Sequence, residues 1–105
     1  MTREMVIQTM VDRIVQQFSP LRVILFGSHA RGDATAESDV DLLVVLSEAS
    51  DKRRAAIEIR RALGDLLVAK DIVVTTPDEI ARRGDLVGSV LRPALREGRS
   101  LYEQR

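Results

Sequence analysis

Apolar residues recur every three or four positions from Thr2 to Phe18. Val6, Ile7, Met10, Val11, Ile14, Val15 and Phe18 fall on one side, with Gln8, Asp12, Arg13 and Gln16 opposite. This period predicts an amphipathic helix. Ser19 and Pro20 stop it, because a proline disfavours the helical conformation in the residue before it. The pattern then shortens. Leu21 to Phe26 (LRVILF) is a brief β-branched run ended by Gly27, which reads as a buried strand breaking into a tight turn, and Ser28 opens a helical turn. The small polar residues Gly32 to Ser38 (GDATAES) suit an exposed loop. Asp39-Val40-Asp41 then leads into the apolar LLVVL, a second strand ending at Leu46.

The helical period returns over Ser50 to Ala69, where Ala55, Ala56, Ile59, Ala62, Leu63, Leu66 and Leu67 share a side and Lys52, Arg53, Arg54, Arg60 and Arg61 make the remainder basic. Gly64 within it costs about 1 kcal/mol relative to alanine, so either the helix tolerates it or something packs close there. Asp71 to Thr75 (DIVVT) is a third strand. Thr76, Pro77 and Glu79 follow as an N-cap, a first-position proline and a capping-box acid, and that short helix stops at Gly84. A last helix is expected around Leu86 to Glu97, with Pro93 kinking its interior. Gly98 ends it, and Ser100 to Tyr102 form a short edge strand or fray. The chain shows no repeats and no low-complexity tract. The alternation predicts an α/β (α+β) domain: a small mixed β-sheet flanked by helices.

Composition narrows the chemistry. At 105 residues the expectation is one small domain without room for a separate recognition domain, so substrate recognition is expected to be shared with a partner. Sixteen basic residues balance sixteen acidic ones, so bulk charge gives no case for indiscriminate nucleic-acid binding. No cysteine and a single histidine exclude disulfides and thiolate metal sites and make a histidine-built zinc site implausible; a metal here would sit on oxygen. No stretch approaches the ~20 apolar residues of a membrane span, and MTREMVIQTM does not read as a signal peptide. A cytoplasmic location without membrane contact is the expectation.

The chemistry concentrates in FGSHARGDATAESDVDLLVVL, Phe26 to Leu46. A strand, a glycine turn and a helix N-terminus leave backbone N–H groups pointing outward, a seat for phosphate at Gly27 and Ser28. Asp39 and Asp41, at i and i+2, should project from one strand face with Cα atoms roughly 6.5 to 7 Å apart, close enough to grip one or two ions. Carboxylate and water oxygens suit Mg²⁺ or Mn²⁺. Asp71, opening a strand, could bring a third carboxylate to the same point. Converging carboxylates repel, and cations relieve that repulsion. The inferred reaction is metal-assisted attack on phosphorus.

Gly27-Ser28, ten residues, Asp39-Val40-Asp41 and then Asp71 on a later strand resemble the nucleotidyltransferase superfamily typified by DNA polymerase β. GSHARG…SDVDLLVVL, DIVVTTPDEI and ALREGRSLYE resemble its minimal nucleotidyltransferases, the MNT proteins, over most of the chain. The resemblance implies that Asp39 and Asp41 bind two Mg²⁺ ions holding a nucleoside triphosphate, and that Asp71 binds the catalytic metal and helps activate the attacking hydroxyl. It further implies that Gly27 and Ser28 hold the β- and γ-phosphates. AMP or another nucleoside monophosphate would be transferred from ATP or a related substrate, with pyrophosphate leaving. Many MNT proteins are antitoxins beside a HEPN-domain ribonuclease toxin, some attaching AMP to a toxin tyrosine, so a HEPN partner is implied as well.

Other positions carry two readings each. Arg31 could neutralise triphosphate charge or pair with Asp33 or Glu37. Ser38 could face the nucleotide or close a turn before the strand. His29 reads as an exposed helix residue rather than a ligand. Arg92, Arg96 and Arg99 could face nucleotide, RNA or an acidic partner, or form a solvated face, which is the preferred reading. A rival to catalysis is a binding antitoxin that neutralises its partner by occlusion. Transfer to tRNA or an antibiotic is disfavoured by size. An oligomer is open, because the apolar face of the first helix is broad.

Overall fold

A computed structural model of the chain describes residues 2–35, 37–86, 88–89 and 91–104. Ala36 in the expected Gly32–Ser38 loop, and Val87 and Val90 in the expected Leu86–Glu97 helix, lie outside the described residues, as do Met1 and Arg105. Helix α1 (Arg3–Phe18) starts where the Thr2 hydroxyl accepts the Met5 amide at 3.2 Å. It ends at Ser19, which adopts a left-handed conformation (φ 48°) and donates its amide to the Val15 carbonyl. Strand β1 (Arg22–Phe26) follows, then the single turn α2 (Ser28–Arg31), β2 (Val40–Val45), α3 (Lys52–Ala62), β3 (Lys70–Thr75), α4 (Pro77–Arg83), α5 (Leu91–Glu97) and β4 (Arg99–Glu103).

The strands form one mixed sheet in the order β3-β2-β1-β4, with β1 antiparallel to both neighbours and β2 parallel to β3. Parallel neighbours need a crossover, and α3 supplies it. Alternation along the strands sends Val23, Leu25, Leu42, Val44, Ile72 and Val74 to one face. There they form the main core with Ile7, Met10, Val11 and Ile14 of α1 and Ile59 and Leu63 at the end of α3. The opposite face carries Ile24 and Leu43, covered by Leu91 and Ala94 of α5, with Phe26 and Val73 packed alongside. This second face also carries the chemistry.

Several expectations change in three dimensions. The helix expected to run to Ala69 stops at Ala62; Leu63 caps it and Gly64 lies in the turn beyond. Leu63 is buried, but Leu67, expected on the same apolar side, is 100% exposed. Arg13 secures that turn from α1, donating to the Ala62 carbonyl at 3.1 Å and gripping the Asp65 carboxylate with two guanidinium nitrogens. Pro93 does not kink a helix interior. It is the third residue of α5, in the first turn, where backbone amides have no intrahelical acceptor and proline loses nothing. The segment Ser100 to Tyr102 is ordered into the edge strand β4, which pairs with β1 from Arg99 to Glu103 across a bulge at Val23 and Ile24.

At the start of α4 only half of the capping box forms. The Thr76 hydroxyl accepts the Glu79 amide at 3.2 Å. The Glu79 carboxylate instead accepts the buried Thr75 hydroxyl at 2.6 Å and pairs with Lys52 at the start of α3. The broad apolar side of α1 is mostly spent inside the chain: Ile7, Met10, Val11 and Ile14 are buried, and Val6, Val15 and Phe18 pack against the same core. Val6, Val15 and Phe18 are only half-buried, so that face is mostly but not wholly covered. No described helix is long and apolar enough to cross a membrane.

Candidate active site

Phe26, Asp41 and Asp71 form one row across the sheet. Phe26 is the register partner of Asp41 on β1, and Asp71 is its partner on β3. Asp41 lies two residues before the inward Leu43 and Asp71 two residues before Val73, so both carboxylates fall on the α5 face, and the register sets them opposite each other. Parallel neighbours are roughly 4.8 Å apart, which brings two acids close on adjoining strands. Asp39 stands just outside β2, which begins at Val40 rather than at Asp39.

The turn after β1 is shaped around Asp41. Gly27 has φ 74° and ψ −155°, a conformation that side-chain-bearing residues rarely adopt. A Cβ there would fall on Oδ2 of Asp41. Glycine is therefore required twice, for its backbone angle and for the space the carboxylate takes. Beyond it, the amides of Ala30 and Arg31 both donate to the Gly27 carbonyl at 3.1 Å. The first amides of a helical turn have no acceptor within it.

Burial pushes the Asp41 carboxyl above the usual carboxylate range, and the negative charges of Asp71 and then Asp39 push it further, against weaker opposing effects of His29 and Arg31. The three aspartates thus share one electrostatic site. They do not form a ready-made ligand cage: among the described residues, no group of three or more His, Asp or Glu side chains is arranged to hold a metal ion. Asp71 Oδ1 instead accepts from Nη2 of Arg60 at 3.0 Å. The donor set still fits a hard divalent cation. It offers only carboxylate oxygens, and its most buried acid is destabilised in its charged form by its neighbours, which a cation would offset.

Three further positions are placed as follows. Arg31 Nε lies 3.4 Å from Asp33 Oδ2, a long and exposed contact. The Ser38 hydroxyl accepts the Thr35 amide at 2.9 Å, and the Ser38 amide donates to the Thr35 carbonyl at 3.1 Å, so this residue closes the loop before β2. His29 is half-buried rather than exposed, with Nε2 3.4 Å from the Ser38 carbonyl, linking α2 to that loop. Arg60 was legible only as one of a basic helical face. The available signal was positional: it sits near the end of the crossover helix, eleven residues before Asp71.

A protein of Methanocaldococcus jannaschii, named provisionally as a protein adenylyltransferase, is 67% identical over 27 residues. That segment is 26% of this chain and 27% of the relative, so only about a quarter of the relative's length is matched. A toxin–antitoxin crystal structure with AMP-PNP superposes with a TM-score of 0.67 at 20% identity, covering 93% of this chain and 74% of that one. A structure of tri-AMPylated Shewanella oneidensis HEPN toxin in complex with MNT antitoxin superposes with a TM-score of 0.64 at 14% identity, covering 98% and 74%. At such identities these likenesses concern the fold. The family model for the nucleotidyltransferase domain matches residues 7–96, a span from α1 through α5 that includes every aspartate of the site, and the chain belongs to that family.

Proposed function

We propose that this protein transfers a nucleoside monophosphate, AMP from ATP in the leading case, to a hydroxyl on a partner polypeptide, and that the partner is a HEPN toxin which it neutralises as an antitoxin. The observation that carries the reading is the in-register pair of Asp41 and Asp71 beside a glycine turn cut to fit the Asp41 carboxylate. Family membership, and fold likeness to MNT antitoxin structures, point the same way.

In this reading the amides at Gly27 and Ser28 receive the β- and γ-phosphates, with Arg31 released from its long contact with Asp33 to offset triphosphate charge. Ser38 holds the loop that borders the nucleotide. Asp39, Asp41 and Asp71 would hold Mg²⁺, with Mn²⁺ able to replace it. Held there, the ion would supply Lewis-acid polarisation of the phosphates and offset charge on the leaving pyrophosphate. Asp71 takes the proton of the attacking hydroxyl. The new bond joins that oxygen to the α-phosphorus, and the bond to the β-phosphate oxygen breaks.

The test incubates the purified protein with α-labelled ATP, Mg²⁺ and the HEPN protein encoded beside it. Label should pass to the HEPN chain, and Asp39→Ala and Asp41→Ala should reduce transfer to background. Wild type indistinguishable from both variants would sink the catalytic reading. If both variants still neutralise the toxin, occlusion replaces catalysis.

A further inference from the structure

Arg60 is held in place by its neighbours in sequence. Ile59 and Leu63, on either side of it along α3, are both 0% exposed and anchor the end of the helix in the main core. The guanidinium can therefore move only by side-chain rotation. It reaches Asp71 by one hydrogen bond of 3.0 Å, and both side chains are 52% exposed. The other cross-element ion pairs join structural positions: Arg13 with Asp65, Lys52 with Glu79 and Arg22 with Glu103. Arg60 alone among the described pairs ends on an acid of the candidate site. An exposed pair of this kind is weak and readily exchanged.

We infer that Arg60 is a positioning residue that competes with the divalent cation for Asp71: it holds the carboxylate toward α3 until a cation displaces it. The inference rests on the proposed metal-binding role of the three aspartates. A guanidinium and a divalent cation are both positive, so each opposes the other beside one carboxylate, and Arg60 already takes Oδ1 of Asp71. With the pair formed, Asp71 Oδ1 is engaged by Arg60, and the described side chains form no three-carboxylate cage. It also gives the site a rest state in which one of its repelling acids already has a counter-charge.

The test is Mn²⁺ binding without nucleotide, followed by electron paramagnetic resonance of the free ion. Arg60→Gln should bind Mn²⁺ about two- to fivefold more tightly than wild type, the range expected from removing one exposed ion-pair competitor. Arg60→Lys, which keeps the charge, should fall between the two. In an Asp71→Asn background, Arg60→Gln should change nothing. Arg61→Gln removes the same charge from the next residue, which touches no site acid, and should shift affinity less. Unchanged or weaker binding by Arg60→Gln overturns the inference, as does an equal gain in Arg61→Gln. If wild type binds no Mn²⁺ in an Asp41-dependent way, the metal reading itself fails and takes this one with it. Asp41-dependent binding with no effect at Arg60 defeats the Arg60 role alone.

Discussion

The carboxylate of Asp41 occupies the space where a side chain at Gly27 would begin. The turn that ends β1 and the acid one residue into β2 are thus one structural unit, built by two register-paired strands. Gly27→Ala combines a backbone conformation almost confined to glycine with a clash on a site carboxylate. The backbone term alone costs about 1–3 kcal/mol, and Asp41 must move as well. Chemical denaturation should show at least that loss, and nucleotidyl transfer should fall to background even in protein that remains folded.

Asp41 also sets a pH dependence. Its carboxyl is pushed above the usual range by burial and by Asp71 and Asp39. A raised acid contributes stability while both states are protonated, below the unfolded value of about 3.9, and loses that contribution as pH rises through the folded value. Near neutral pH the ionised Asp41 therefore weakens the fold. Asp41→Asn should melt at higher temperature than wild type at pH 7, with the gap closing toward pH 3. A variant less stable at pH 7 would contradict this, and the same substitution should abolish transfer.

Glu79 behaves in the opposite sense. Burial works to raise its carboxyl, but hydrogen bonds from Lys52 and Thr75 outweigh it, helped by the charges of Lys52 and Arg83, and hold it below the usual range. A depressed acid adds stability above its unfolded value that is lost as pH falls through the folded one. Glu79→Ala also removes the close acceptor of the buried Thr75 hydroxyl. A loss of about 1–3 kcal/mol is expected at pH 7, shrinking below about pH 4.3. Urea unfolding at both pH values measures it, and Mn²⁺ binding should not change.

Gly98, between α5 and β4, admits no side chain. A Cβ there would meet the Ala94 carbonyl and Ile24 Cγ2, with the Leu25 carbonyl at 3.1 Å. Gly98→Ala should cost roughly 1–3 kcal/mol through overpacking and loosen β4, seen as faster amide exchange from Arg99 to Glu103.

Leu63 and Leu67 separate two outcomes that helical spacing treats alike. Leu63 is fully buried and Leu67 fully exposed. Leu63→Ala should destabilise by about 2–5 kcal/mol, whereas Leu67→Ala should stay within about 0.5 kcal/mol of wild type. Equal effects would mean that the turn at Gly64 continues as helix.

Local chemistry made much of this protein legible in one dimension. The period of α1, the β-branched runs of the strands, the break at Gly27 and the Thr76-Pro77 start of α4 each depend on residues within a turn or two of one another, so neighbouring residue types settle them. The aspartates were legible as candidates for the same reason: Asp39 and Asp41 are two residues apart at the approach to an apolar run, although Asp39 itself lies just outside β2. Other features depend on pairing across the sheet. That Asp71 faces Asp41 follows from the parallel register of β3 on β2, and that Arg60 reaches Asp71 follows from where the crossover helix stops. Periodicity could not place that stop, because Leu66 and Leu67 continue the apolar spacing past Ala62. The Arg13 clamp on Asp65 and Ala62, from a helix about fifty residues earlier, meets the chain at that turn, a contact no local pattern records. Glu79 shows the same division. Its spacing from Thr76 suited a capping box, but the buried Thr75 hydroxyl and distant Lys52 compete for its carboxylate, and only the folded chain brings them within reach.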